Sequence, residues 1–148
     1  MLDKGKIGEE YPEFTFEVEK GKIREFARAI GDNNPIYHSE EAAEREGYNG
    51  LVAPPTFGTV LYISGGVMLT ILNDLKVDLM KMLQGGQEYE YFKTIHPGEI
   101  LTGKTKIFNI FEKSGKGGTM TFLVTETTYI NQNGETVLKE KLTVIIRE

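Results

Sequence analysis

The sequence contains no cysteine and no tryptophan, and only two histidines among 148 residues. The absence of thiols excludes a disulfide framework, a thiolate metal site and a cysteine nucleophile. Two histidines without a carboxylate at ligand spacing make a poor metal site, so no metal is expected. Basic runs are missing as well. Lys and Arg number 17 against 22 Asp and Glu, a net charge of −5, and nucleic acid is not an expected partner. No uninterrupted apolar run is long enough for a membrane span. The most apolar stretch, Leu51 to Leu72, contains Pro54, Pro55 and several glycines and hydroxyl residues, and Asn73-Asp74 follows at once. It reads as a buried helix. Met1-Leu2-Asp3-Lys4-Gly5 lacks the apolar core of a signal peptide, which makes the cytoplasm the expected location.

What is present suits an ordinary globular chain, with 39% hydrophobic and 26% charged residues. The length fits one domain over residues 1–148. Glu13 to Glu19 alternates, with Phe14, Phe16 and Val18 on one side, as in a half-buried strand. Ile23, Phe26, Ala27 and Ile30 then form a helical stripe, which Gly31 ends at a C′ position. Ser39 is placed to cap a short helix running to Arg45. Pro54-Pro55 opens a second long helix, Thr56 to Leu75, apolar nearly all round and therefore expected to be enclosed. Gly65 and Gly66 in its middle weaken it by about 1 kcal/mol each, which points to a kink or a close backbone approach. From Glu88 the period becomes two. Strands are expected over Glu88–Ile95, Ile100–Lys113, Thr119–Ile130 and Thr136–Arg147, and the last pair is joined by an Asn-Gly hairpin. The fold class is α+β: an antiparallel sheet wrapped around one long apolar helix.

The segment Gly31-Asp32-Asn33-Asn34-Pro35-Ile36-Tyr37-His38 gathers a carboxylate, amides, a phenol and an imidazole at the mouth of that helix. Such groups suit a general acid or base beside a donor for an oxyanion. They equally suit a hydrogen-bonded turn in which Asp32 caps, Asn34 makes an Asx-turn and His38 lies on the surface. Ser114-Gly115-Lys116-Gly117-Gly118 lacks phosphate-loop spacing and reads as a flexible hairpin. His96 sits in a turn and is expected to be solvated. Tyr89, Tyr91 and Phe92 read as core or dimer contacts.

Phe26-Ala-Arg-Ala-Ile-Gly-Asp-Asn-Asn-Pro-Ile-Tyr37, followed by Ala53-Pro-Pro-Thr-Phe57, resembles the MaoC-like dehydratase (R-specific enoyl hydratase) family. The likeness is closest to its N-terminal, small-subunit branch. Ile95-His96-Pro97-Gly98-Glu99 and Asn133-Gly134-Glu135 extend it into the second half. The resemblance implies the hot dog fold, dimerisation, no cofactor, and reversible hydration of an enoyl thioester carried by coenzyme A or acyl carrier protein. Asp32 matches the family's catalytic Asp, and Asn34-Pro35 its Asn-Pro. The catalytic His position holds Tyr37, and His38 lies one residue later. Where catalytic members carry His-Gly at the start of the central helix, this chain carries Pro54-Pro55, which have no N–H to polarise a carbonyl.

These two departures match the non-catalytic half of the family, in which one subunit shapes the acyl tunnel and a partner supplies the Asp/His pair. On that reading Asn34, Pro35, Tyr37, Thr56, Phe57 and Leu61 would contact substrate, with Met68 further along the channel. The alternatives are a self-sufficient homodimer using Asp32 and His38, and an acyl-thioester-binding module without turnover. Arg24, Arg28, Lys93 and Lys104 are candidates for steering an acidic carrier.

Overall fold

A computed structural model describes residues 2–115 and 117–147. Met1, within the N-terminal segment read above, and Lys116, within the glycine-rich hairpin, lie outside the described residues. The elements are β1 (Phe14–Glu17), α1 (Lys20–Ala29), α2 (Glu40–Arg45), α3 (Gly58–Gly65), α4 (Val67–Asp74), β2 (Met82–Tyr91), β3 (Ile100–Gly115), β4 (Gly118–Ile130) and β5 (Thr136–Arg147). The strands form one sheet in the order β1-β3-β4-β5-β2, and every pairing is antiparallel.

Period-two patterning sets the face of each strand. Leu123, Thr125, Thr127 and Tyr129 of β4 point inward and are buried. In β3 a register shift between Ile107 and Asn109 lets both Ile107 and Ile110 face the core. The core has two parts along this inner face. One surrounds Phe57 and Leu61 with Leu101, Tyr129 and Leu138. The other surrounds Ile71 and Leu72 with Ile107, Leu123 and Val144. Each such side chain, fully buried, contributes about 1.5–3 kcal/mol.

The first half follows its local signals closely. Gly31 takes φ +73° just past the α1 C-cap, and the Ser39 hydroxyl accepts the Ala42 N–H at the start of α2. Phe14 of β1 lodges over Gly103 and Gly65, and a Cβ on Gly65 would come within 2.5 Å of its ring.

Three expectations are corrected. The helix expected over Thr56–Leu75 is two helices, parted by Gly66 in the left-handed region at φ +65°. Both a break and a close approach therefore exist, at adjacent glycines. The pair is not fully enclosed, because Ile63 is 72% and Leu69 59% exposed. One sheet covers only one side of a helix. The strand expected over Glu88–Ile95 spans Met82–Tyr91. Gly85-Gly86 resembles a breaker in sequence but forms a bulge in β2: Gly85 is the extra residue, opposite the step from Val144 to Thr143 of β5. Beyond Tyr91 the chain leaves the ladder for the turn at His96-Pro97-Gly98.

Candidate functional site

The loop after α1 is held by its own side chains. Asp32 Oδ1 accepts the Asn34 N–H at 3.0 Å, and Asn34 Oδ1 accepts the Ile36 N–H at 3.3 Å. The second bond caps a single 3-10 turn over Pro35–Tyr37. This turn sends Tyr37 inward, where it is buried, and leaves Asn34 and Pro35 exposed. His38 comes back toward Asp32, but toward its backbone: Nε2 lies 2.9 Å from the Asp32 carbonyl oxygen. A carbonyl only accepts, so that ring nitrogen carries the proton and donates it. The carboxylate and the imidazole are thus both engaged with loop backbone. Arg24 Nε donates to the His38 carbonyl at 3.0 Å and ties the loop to α1.

Tyr37 opens onto a groove of about 360 Å³ between this loop, the approach to α3 and the end of β2. Tyr48, Ala53, Pro55, Tyr91 and Lys93 complete its sides. Burial, and then the charge of Asp32, push the Tyr37 phenol above its ordinary value. Burial raises Tyr91 in the same direction. Both are neutral phenols at physiological pH, able to donate or accept a hydrogen bond but not to act as bases. Tyr91 donates to the Pro55 carbonyl at 2.7 Å and so latches the end of β2 to the approach of α3.

His96 is not a solvated loop residue. Its Nδ1 is 2.8 Å from the Leu51 carbonyl oxygen and its Nε2 is 2.7 Å from Thr94 Oγ1. With the Ala53 N–H donating to the Ile95 carbonyl at 2.9 Å, it pins the wall of the groove that leads into Pro54-Pro55.

The remaining candidates divide. Thr56 is exposed beside Pro55 at the helix entrance, near the groove. Phe57 and Leu61 are fully buried against the sheet and stand apart from the groove lining. Of the four basic candidates, only Lys93 lines the groove, and it pairs with Glu135. Lys104 pairs with Glu13 on the β1–β3 side of the sheet. Tyr48 and Tyr91 are not singled out for the site by sequence. Tyr91 is legible as an alternate position of β2, on the side of Gln87 and Tyr89, whereas Tyr48 reaches the groove through a loop that has no period. Among the described residues no group of three or more His, Asp or Glu is arranged to hold a metal ion, and no helix is long and apolar enough to cross a membrane.

Comparison with known proteins places this arrangement. Residues 5–140 match the family model described as FAS1-like, dehydratase domain region. A UPF0336 protein of Saccharopolyspora erythraea is 33% identical over 147 residues, covering 99% of this chain and 92% of that one. Among solved structures, the C-terminally truncated HadBC (3R-hydroxyacyl-ACP dehydratase) complex from Mycobacterium tuberculosis superposes with a TM-score of 0.77 at 32% identity, over 92% of each chain. A MaoC-like dehydratase superposes with a TM-score of 0.86 at 25% identity, and there this chain covers 43% of the other's length. The sheet and its central helices are the hot dog fold of these neighbours, and the chain belongs to the FAS1-like dehydratase region family, among the MaoC-like hot dog dehydratases.

Proposed function

We propose that this chain is the tunnel-shaping subunit of a (3R)-hydroxyacyl-thioester dehydratase, paired with a second hot dog subunit that supplies the catalytic Asp and His. The observation that carries this reading is the state of the Asp32–His38 loop. Asp32 braces Asn34, His38 holds the Asp32 carbonyl, and the position facing the groove belongs to the neutral phenol of Tyr37. Water addition needs a group poised to take or give a proton within hydrogen-bond reach. A buried, up-shifted tyrosine is a poor base at neutral pH, but its ring and hydroxyl suit the wall of an acyl-thioester channel.

The helix entrance supports the same reading. Pro54 and Pro55 offer no N–H, and the Pro55 carbonyl already accepts from Tyr91. An oxyanion hole would have to come from elsewhere. Among the described residues β2 ends the sheet with one side unpaired, and an open edge of ten residues invites pairing with another subunit. The similarity to a chain of the HadBC complex, itself a dehydratase assembly, agrees with such a partner. The thioester is carried by coenzyme A or acyl carrier protein, and Lys93 at the groove is positioned to meet either phosphate-bearing carrier.

The homodimeric alternative would require His38 to leave the Asp32 backbone carbonyl, 2.9 Å from its Nε2, and turn to the carboxylate or the substrate. Hydration of crotonyl-coenzyme A separates the two. The tunnel-shaping role predicts no turnover by the chain alone and turnover once a hot dog subunit carrying Gly-Asp-x-Asn-Pro-x-His is added. Turnover by the chain alone that Asp32→Asn abolishes would establish the homodimer. Binding of an acyl thioester without turnover under any pairing would leave a binding module.

A further inference from the structure

Three alternate positions of β2 each reach a different element. Gln87 Nε2 donates to Glu140 Oε1 on β5. Tyr89 and Thr59 of α3 share a hydroxyl–hydroxyl hydrogen bond. Tyr91 donates to the Pro55 carbonyl. The rings of Tyr89 and Tyr91 stack, with centroids 6.4 Å apart. At the root of this ladder lies Glu140, 1% exposed, whose Oε2 accepts the Tyr129 hydroxyl of β4 at 2.9 Å. The first residue of α3 closes over it: a Cβ on Gly58 would stand 2.8 Å from the Tyr89 ring and 3.1 Å from Glu140 Oε2. Glycine is required here by close approach.

A buried carboxyl among apolar neighbours is costly unless its hydrogen bonds are complete, and apolar residues of similar size would serve the core as well. We propose that Glu140 is a positioning residue for the groove: by holding Gln87 and Tyr129 under the first turn of α3, it fixes the register of β2 and so seats Tyr91 against Pro55. This rests on the reading of that groove as an acyl-thioester site. The edge strand open to a partner and the wall of the groove are then one unit. Docking along β2 would reach the groove through Gln87, Tyr89 and Tyr91.

The groups facing Glu140 are Tyr129 from β4, Gln87 and Tyr89 from β2, and Tyr62 from α3, whose own hydroxyl is 3.1 Å from Thr125 Oγ1. Among the described residues no lysine or arginine forms an ion pair with it, and the neighbouring Lys141 pairs with Glu126 instead. Burial raises its carboxyl above the ordinary glutamate range, against the two bonds it accepts.

The test compares the wild-type chain with Glu140→Gln and Glu140→Ala, each with isotope-labelled tyrosine and phenylalanine. The ring signals of Tyr91 and Tyr89 report the latch, and stacked Phe111 and Phe122, far along the sheet, serve as a control. The amide introduced by Glu140→Gln can still accept one bond and donate the other once the Gln87 amide turns over. That variant should therefore keep the wild-type Tyr91 signal and lose any titration of it with pH. Glu140→Ala should shift Tyr91 and Tyr89 together and weaken binding of a medium-chain acyl-coenzyme A by about fivefold or more, with Phe111 and Phe122 unmoved. If Glu140→Ala fails to fold, the Glu140→Gln titration alone decides. A Tyr91 signal in folded Glu140→Ala identical to that of wild type, or one that titrates in Glu140→Gln as in wild type, overturns the proposal. Failure of acyl-coenzyme A to perturb Tyr37 in the wild-type chain overturns the groove's assignment instead, and leaves the positioning result standing.

Discussion

Both imidazoles of this chain donate a proton to a backbone carbonyl, His38 to Asp32 and His96 to Leu51. That use sets their tautomers and makes each a brace for one wall of the groove. The Asp32 carboxylate has the same character, since it accepts the Asn34 N–H. Asp32→Asn keeps an oxygen in that place, so a heteromeric enzyme built with this variant is expected to retain dehydratase activity within about twofold. Loss of about a hundredfold or more, the scale of a removed acid or base, would assign Asp32 to the chemistry. Glu140 carries a pH signature. The folded state holds its proton more tightly than the unfolded chain does. Its contribution to stability is therefore complete below the ordinary glutamate value of about 4.3, and is lost as pH rises through the raised folded value. Urea unfolding of wild type and Glu140→Gln should diverge as pH climbs from acidic to neutral, with the glutamine variant gaining. Parallel curves across that range would contradict a buried, up-shifted carboxyl.

At the scale of elements, two adjacent glycines do different work. Gly66 supplies the left-handed turn between α3 and α4, and Gly66→Ala should cost about 1–2 kcal/mol. Gly65 makes room for Phe14, and Gly65→Ala should cost about 1–3 kcal/mol by overpacking, as a lower midpoint in thermal unfolding. These glycines are visible in the sequence as an interruption, but whether they mark a break or a contact depends on Phe14, far away in the chain. The local signals of the first half are fully legible: the alternation of Phe14 and Phe16, the Gly31 stop and the Ser39 cap all act within a few residues. The start of β2 is not. Gln84-Gly85-Gly86 has no strand propensity, and only the ladder of β5 makes it a strand. The apolar girth of α3 and α4 predicts enclosure, but enclosure depends on what lies opposite the sheet, which no periodicity encodes. The candidate site divides in the same way. Asp32, Asn34 and Tyr37 stand out by motif and Tyr37 lines the groove, whereas Phe57 and Leu61 lie in the closed core and the place of Tyr91 follows from the pairing of distant strands.

At the scale of the whole molecule, the proposed role makes this chain one half of a larger assembly. Its sheet ends on β2; Leu83 on that strand and Phe92 just past its end are 47% and 51% accessible, and Phe92 also lines the groove beside Tyr91. A paired charge substitution, Leu83→Lys with Phe92→Lys, is expected to abolish association with a hot dog partner in light scattering while leaving the monomer's thermal midpoint within a few degrees. Association unchanged by both lysines would place the interface elsewhere. The central claim, that this chain builds the channel and its partner performs the chemistry, is met most directly by one assay. Hydration of crotonyl-coenzyme A is followed with the purified chain alone, with a catalytic hot dog subunit alone, and with the two combined. No turnover by this chain alone is expected, and a gain in the combination over the partner by itself. Turnover by this chain alone, eliminated by Asp32→Asn, would contradict it.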